Sequence, residues 1–500
     1  MKIMKALHKQ DGSDLGGKQM KETVEKVDLW INNTIVSSHD QFEIRDPGRL
    51  SDVVAQVTKG TVEIANMAVE AAHRAFLTWR KVDVAERINM VLAAAVALEL
   101  EIPHLSTLLV REHGGLLGEA MTDLGYGVGV TQFTAGIAQS FLVPEVIEDE
   151  NTRIEIAKVP RGVTVAIVPW NFPIVLTMMK LAPALVTGNT IVVKPSPLAP
   201  AAITQALKKM AAELPPGVIN VVTGDGDVGA ALTSHPLVRK ISFTGGVQTA
   251  KHVMRDSSSS IKNITLELGG NDPAIILEDA NIAELMPNLV RGIFTRSGQI
   301  CFAVKRVYVP KSIYNQFFDT MCQVVDEIKV GHGLDPQATM GPVNNKVQYQ
   351  FVKDLIEQAK QSNATVCELG KKLSPDEWNS GYYILPTVVR DVEHSAKVAC
   401  CEQFGPVIPL IPYQSVDQVI EMANDSEFGL CSSVWSSDRS HALEVARQIE
   451  AGSTFINSHN IESLDVRMPF GGIKQSGIGR EFSEVSLADY IEYHGIRYMK

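Results

Sequence analysis

A chain of 500 residues, 45% hydrophobic and 21% charged, is long enough for two or three domains and buries its cores without covalent staples. Its formal charge of −11 excludes non-specific nucleic-acid binding, because no basic surplus offsets phosphate repulsion, and no apolar run reaches membrane-spanning length. The six cysteines all fall between positions 301 and 431, at spacings that fit no zinc or disulfide framework, which points to a reducing, cytoplasmic setting.

Residues 1–27 carry scattered lysines without the apolar centre of a signal peptide and read as a flexible arm. The run DLWINNTIV predicts a strand, and from Thr61 to about Leu100 apolar residues recur at helical spacing (Ile64, Met67, Ala68, Ala71, Ala75, then Ile88, Val91, Leu92). After Pro160 the texture changes to short β-branched runs, VTVAIV, TIVVKP, VINVVTG and KISFTG, separated by helix-length segments. This is the pattern of βαβ units and a parallel sheet. A second α/β series follows, with AIIL, RVYV, TVVR, VIPLIPY and SSVW as strands and YNQFFDTMCQVVDEIKV as an amphipathic helix.

Several stretches carry chemistry. In VPWNFP, Asn171 sits in an irregular loop where a fixed side-chain amide suits an oxyanion, or serves a structural turn. GDGDVG at 224–229 fits GxGxxG literally, yet Asp225 and Asp227 would face a diphosphate and no acidic residue follows about 20 positions on, so a turn before a helix competes with a phosphate cradle. FTGGVQTA is the better anion site, with Gly245 and Gly246 ending a strand and opening a helix whose leading N–H groups are free. Glu267, between apolar neighbours before Gly269-Gly270, is placed for desolvation and a raised pKa, as a general base requires, unless it pairs with a lysine. Cys301 in FTRSGQICFAVKR is a lone thiol behind a Gly-Gln pair, either a nucleophile or an inert buried residue. Cys400 and Cys401 near His394 read as small residues flanking a motif, since adjacent cysteines seldom ligate one tetrahedral ion; no metal site is expected.

Taken in order, PWNFP at 169–173, KPS at 194–196, FTG at 243–245, LELGG at 266–270, GQIC at 298–301, EQFGP at 402–406 and PFGGIKQSG at 469–477 resemble the aldehyde dehydrogenase superfamily. The resemblance runs from Trp30 almost to residue 500. It implies an α/β fold with a Rossmann-like cofactor domain (28–137 and 162–268), an α/β catalytic domain (269–466) and a small oligomerisation β element (138–161 and 484–500), hence a homodimer or homotetramer. It implies oxidation of a small-molecule aldehyde to a carboxylic acid with NAD or NADP, through a thiohemiacetal and a thioester on Cys301. Asn171 would steady the oxyanion and Glu267 would activate the hydrolytic water, with Lys180 and Glu481 handling protons nearby. By the same resemblance Lys194 holds the adenosine ribose, Glu402 the nicotinamide ribose, and Phe404 supports the nicotinamide, with Pro169, Trp170, Ser196, Phe243, Gly245, Gly246 and Leu268 along the cofactor. A CoA-acylating relative generally lacks the base that Glu267 supplies, and a catalytically silent structural paralogue would not need Cys301, Glu267 and Asn171 together.

The sequence departs from the family pattern at named places. Gly246 and Ala250 stand where serine and glycine are usual. Pro197 stands where NAD-preferring relatives often have a glutamate. Arg296 replaces an asparagine two positions before the Gly-Gln pair, and an internal salt bridge is its expected role, ahead of contact with an acidic substrate. Asp46-Pro47-Gly48 replaces Asn-Pro-Ala and Glu112-His113-Gly114-Gly115 replaces Glu-x-Gly-Lys; both are expected to lie far from the chemistry and matter to packing. Residues 457–469 mix His459, Glu462, Asp465 and Arg467 with Ile461 and Leu464 and give no clean substrate preference.

Overall fold

The four β-branched runs after Pro160 become parallel strands, Val163–Ile167, Thr190–Lys194, Ile219–Val221 and Val238–Thr244, joined by a fifth, Asn263–Glu267, in a computed structural model that describes residues 24–500. Their side chains are buried almost throughout, as strands covered by helices on both faces require. In space they run 263–267, 238–244, 163–167, 190–194, 219–221. Antiparallel edges are added by Gly477–Ile478 at one end and by Leu29–Ile31 and Thr34–Val36 at the other. The direction of winding therefore reverses between Val163–Ile167 and Val238–Thr244, and the carboxyl ends of those two strands flank the crevice where doubly wound sheets take ligands.

The helical spacing of 61–100 is realised as Val62–Trp79 and Val84–Leu100, capped by the Thr61 hydroxyl on the Ile64 N–H at 3.3 Å and by the Asp83 carboxylate on the Ala85 N–H at 2.8 Å. Pro173–Val186 begins with proline in its first turn, where no N–H is needed, and is buried along nearly its whole length. Gly127 lets the long helix Leu117–Phe141 approach it: a Cβ there would lie 3.0 Å from Ile174.

The second sheet has seven strands in the order Thr365–Glu368, Thr387–Arg390, Val407–Tyr413, Val304–Pro310, Asp272–Ile276, Cys431–Trp435 and Ser453–Ile456, parallel except for the first. Separate apolar cores lie on its two faces. Glu267 ends a strand of the first sheet and Asp272 begins a strand of the second, so residues 268–271 are the seam between the layers. Cys301 lies just ahead of Val304–Pro310, with its carbonyl against Gly270.

A third, three-stranded sheet pairs Thr152–Pro160 with Glu145–Glu148 and, over nine residues, with Ile491–Met499. One boundary differs from the sequence reading. Residues 1–23 of the expected arm lie outside the described residues, but the arm does not reach 27, because Glu25–Val27 is a strand parallel to Ala55–Val57 that buries Val27. Past 466, Ile473–Lys474 forms a two-stranded sheet with Phe428–Gly429, and Gly477–Ile478 pairs with the strand that ends in Glu267. Among the described residues no single helix is long and apolar enough to cross a membrane.

Candidate active site

Asn171 stands in the loop that leaves Val163–Ile167 at the winding reversal, and its side chain is buried. Its Nδ2 donates to the Gln299 carbonyl at 2.9 Å, two residues ahead of Cys301. Gln299 is held in turn: its N–H and Nε2 donate to the Arg296 carbonyl at 3.1 and 3.0 Å, and its Oε1 accepts from the Asn344 N–H at 2.9 Å. Arg296, Ser297 and Gly298 have φ of 55°, 55° and 71°, three successive left-handed residues. Glycine is needed at 298, where a Cβ would meet the Gly405 carbonyl at 2.4 Å.

Cys301 is half-buried against an apolar cluster that includes Phe172, Leu176, Phe302, Phe455 and Phe470. Burial pushes its thiol up to about 12; Lys305 pulls it down, while Glu402, Glu267 and Asp272 add to the rise. The resting group is therefore the thiol. Lys305, which the sequence reading passed over, donates from Nζ to the carbonyls of Cys301 (2.6 Å) and Ile300 (2.9 Å) and lies 3.7 Å from Glu402 Oε1. A lysine within an apolar run one turn past the cysteine was the signal available.

Glu267 is buried, and neither carboxylate oxygen has a hydrogen-bond partner. Burial and the neighbouring Glu481 push its pKa well above the ordinary carboxylate value, against the pull of Lys180 and Arg480. The lysine pairing considered for Glu267 belongs instead to Glu481: Lys180 Nζ and Glu481 Oε1 are 2.5 Å apart, both buried beside it. Gly471 leaves room for the Glu267 carboxylate, since a Cβ there would lie 2.6 Å from Oε1.

The remaining predicted residues fall along the crevice or support it. Lys194 ends its strand with an ammonium that has no hydrogen bond or ion pair among the described residues, and burial pushes its pKa down to about 8 despite Asp225 and Asp227. Its methylenes pass 3.8 Å from a Cβ built on Gly229, so GDGDVG is a turn and helix start flanking Lys194, with Asp225 paired to Lys59 at 2.6 Å. Gly246 is the N-cap of Val247–Ser258 with no side chain bonding the leading N–H groups. Together with the unpartnered Lys194, this fits the diphosphate and ribose of a dinucleotide. Phe243 is buried in the core with its ring folded over Gly245, so it shapes the loop from behind. Leu268 is also buried, its N–H on the Ser476 carbonyl at 2.9 Å, and the half-buried Ser196 hydroxyl accepts from the Leu198 N–H at 3.2 Å. Across the seam Glu402 accepts from the Gly270 N–H at 3.1 Å and folds over Gly269. Phe404, at φ 47°, sets its ring edge-on to Trp170 at 5.6 Å, next to the half-buried Pro169.

The expectation that residues 112–115 lie far from the chemistry is overturned. Arg296 Nη1 rests on His113 Nε2, and the guanidinium lies 4.1 Å over the Phe172 ring, beside Asn171. Asp46 likewise pairs with His332 at 2.9 Å, and Gly114 packs on Pro47 and Pro342, so the two departures share one layer with the catalytic loop. Spacing along the sequence hid these contacts. The charges of 457–469 turn away from Cys301: His459 is buried between the Phe302 carbonyl (2.8 Å) and the Ser433 hydroxyl (2.9 Å), Glu462 pairs with Arg291 at 2.9 Å, and Asp465 pairs with Arg467. Ile461, Leu464, Val466 and Met468 face the cysteine's cluster instead. His394 pairs with Asp425 at 3.4 Å, and among the described residues no group of His, Cys, Asp and Glu is placed to hold a metal ion.

The family model described as "Aldehyde dehydrogenase family" matches residues 35–496. A 3-sulfolactaldehyde dehydrogenase of Pseudomonas putida is 35% identical over 472 residues, covering 93% of this chain and 94% of its own. A succinate-semialdehyde dehydrogenase [NADP(+)] of Schizosaccharomyces pombe is 35% identical over 469 residues, covering 93% and 92%. The crystal structure of a betaine aldehyde dehydrogenase from Staphylococcus aureus in complex with NAD+ superposes with a TM-score of 0.90 at 33% identity, over 94% of each chain.

Proposed function

The chain belongs to the aldehyde dehydrogenase family, and we propose how its own residues carry out NAD(P)-dependent oxidation of an aldehyde to a carboxylic acid. The observation that carries the reading is the meeting of Cys301, Asn171 and Glu267 at the seam between the two sheets, below the crevice at the winding reversal. The Cys301 sulfur bonds to the aldehyde carbon and its proton passes to a base, because a thiol held near 12 does not ionise unaided at neutral pH. The carbonyl electron pair moves to oxygen, which the second Nδ2 hydrogen of Asn171 and the Cys301 N–H receive. A bound dinucleotide, on Lys194, the Gly245-Gly246 turn, Glu402 and Phe404, supplies the hydride acceptor. With hydride gone the carbon is a Cys301 thioester. Glu267 takes a proton from water, the water oxygen adds to the carbonyl, and the carbon–sulfur bond breaks to release the acid. Glu267 is suited to this because its unpartnered carboxylate is desolvated and basic, and that base also argues against acyl transfer to CoA. Glu481, paired with the Lys180 ammonium, stands beside it as the carboxylate that can take the proton on.

The substrate is an apolar aldehyde, since Phe172, Leu176, Phe302, Phe455 and Phe470 surround the thiol while the nearby charges are internally paired. Assembly is a homodimer or homotetramer through the three-stranded sheet, whose Val146, Ile147, Tyr493, Ile496 and Tyr498 are exposed. Six free cysteines suit a reducing cytoplasm. The test is rapid-quench kinetics with a panel of aliphatic, aromatic and ω-carboxy aldehydes. Wild type is expected to give a burst of reduced cofactor and to favour the uncharged aldehydes. Cys301→Ala should bind dinucleotide yet give no burst; retention of a tenth of kcat by that variant sinks the assignment.

A further inference from the structure

We propose that Arg296 is a positioning residue of the reaction: clamped between His113 and Glu119, it holds the left-handed turn ahead of Cys301 and so fixes the line from the turn to the Asn171 amide and the thiol. The proposal rests on the reading that Cys301 and Asn171 do the chemistry.

Arg296 is held at both ends of its length. Its backbone N–H donates to Glu119 Oε1 at 2.7 Å, and its Nη2 donates to the Glu119 carbonyl at 3.1 Å. Nε lies 3.7 Å from Glu119 Oε2, which also accepts the Leu116 N–H at 2.9 Å at the start of Leu117–Phe141. The guanidinium covers the Phe172 ring at 4.1 Å, where Pro173–Val186 begins and where Asp123 accepts the Val175 N–H at 2.8 Å. The cation thus fills the angle between two helix starts, with Glu119 and Asp123 as its counter-charges. Its own carbonyl points the other way, onto both donors of Gln299, and the Gln299 carbonyl holds Asn171. A left-handed conformation at a bulky residue is disfavoured by its Cβ, so such a turn persists where its surroundings over-determine it.

Gly115 shows that the site is built around this cation. A Cβ there would lie 2.7 Å from His113 Cε1, 3.0 Å from Arg296 Cδ and 3.0 Å from Glu119 Oε2. A side chain at 115 and the arginine at 296 would therefore contend for one space, which glycine leaves to the arginine. The Gly115 N–H lies 2.9 Å from His113 Nδ1, and Arg296 Nη1 meets Nε2. Burial and the guanidinium keep the His113 pKa well below the ordinary histidine value, so the imidazole stays neutral with a single acceptor nitrogen, and the tautomer decides whether Gly115 or Arg296 donates to it.

Two variants of the full-length enzyme test this by burst rate, dinucleotide affinity and thermal midpoint: Arg296→Met and Arg296→Lys. Arg296→Met is expected to slow the burst about ten- to a hundredfold, the size of an ångström-scale misplacement, while the dinucleotide Kd changes less than about twofold. Arg296→Lys keeps the charge but cannot span His113 and the Glu119 carbonyl, and should lose roughly three- to tenfold. A wild-type burst in Arg296→Met, or in Arg296→Lys should the methionine variant not fold, overturns the proposal. Failure of the underlying reading looks different, for then Cys301→Ala keeps its burst.

Discussion

Glu267→Gln should stabilise the protein, and by an amount that depends on pH in a way fixed by the burial of the wild-type side chain. Both oxygens of Glu267 lack hydrogen-bond partners, and burial, reinforced by Glu481, raises its pKa well above 4.5. In the pH interval between the unfolded and folded pKa the native state binds the proton that the unfolded state has released, so stability falls as pH rises. The slope is about 1.4 kcal/mol per pH unit and flattens above the folded pKa. Glutamine has the same shape and does not ionise. The difference between the two proteins should therefore be small near pH 4.5, grow with that slope, and level off at a pH set by Glu267 together with the Glu481 carboxyl that raises it. Thermal or urea midpoints of both proteins across pH 5 to 9 provide the measurement. The same pH should mark the acidic limb of thioester hydrolysis, and Glu267→Gln should accumulate acyl-enzyme while turning over slowly. A stability difference that is flat across the interval would mean that Glu267 is not the group ionising there, and unchanged turnover would remove it from the mechanism.

Further outcomes concern the cofactor and the thiol. Pro197 supplies no carboxylate to repel a 2′-phosphate, and one like-charge repulsion is worth about 1–3 kcal/mol at a partly solvated site. NADP should thus be used with kcat/KM within about two decades of NAD, and Pro197→Glu should tip the balance toward NAD; a wild type that rejects NADP by more than about a thousandfold would show that another group guards the position. Because Lys194 is charged only below about 8, relative use of NADP should decline as pH rises through that value. Lys305→Met removes the cation that holds the Cys301 carbonyl and pulls its thiol pKa down. Iodoacetamide should then alkylate Cys301 about tenfold more slowly at pH 8, the effect of one pKa unit on thiolate fraction, and an unchanged rate would refute the electrostatic role.

The parallel sheets were legible because each strand announces itself within a few residues: VTVAIV and TIVVK are β-branched runs that nothing but a covered strand accommodates. Glu267 and Cys301 were legible because local sequence already isolates them, an acid among apolar neighbours and a thiol behind glycine. Arg296 was half legible. Its internal pairing could be expected, but its partners His113 and Glu119 lie 183 and 177 residues away, and no local pattern encodes such a meeting. The charged residues of 457–469 misled for the complementary reason: composition counts Glu462, Asp465 and Arg467, whereas only geometry shows that they are spent on Arg291 and on each other.

The pairing of Gly477–Ile478 with the strand that carries Glu267, the burial of Glu481 against Lys180, and the nine-residue ladder between Ile491–Met499 and Thr152–Pro160 share one property. In each, a segment made late in translation completes one made early. While the ribosome is still adding residues beyond 470, Lys180 lacks the Glu481 carboxylate, the cofactor sheet has a bare edge beside its base, and Thr152–Pro160 has an open flank. A nascent chain carrying every residue through Cys301 is thus still an unfinished catalyst, and a sticky one. Chaperone occupancy should concentrate on this interval of synthesis.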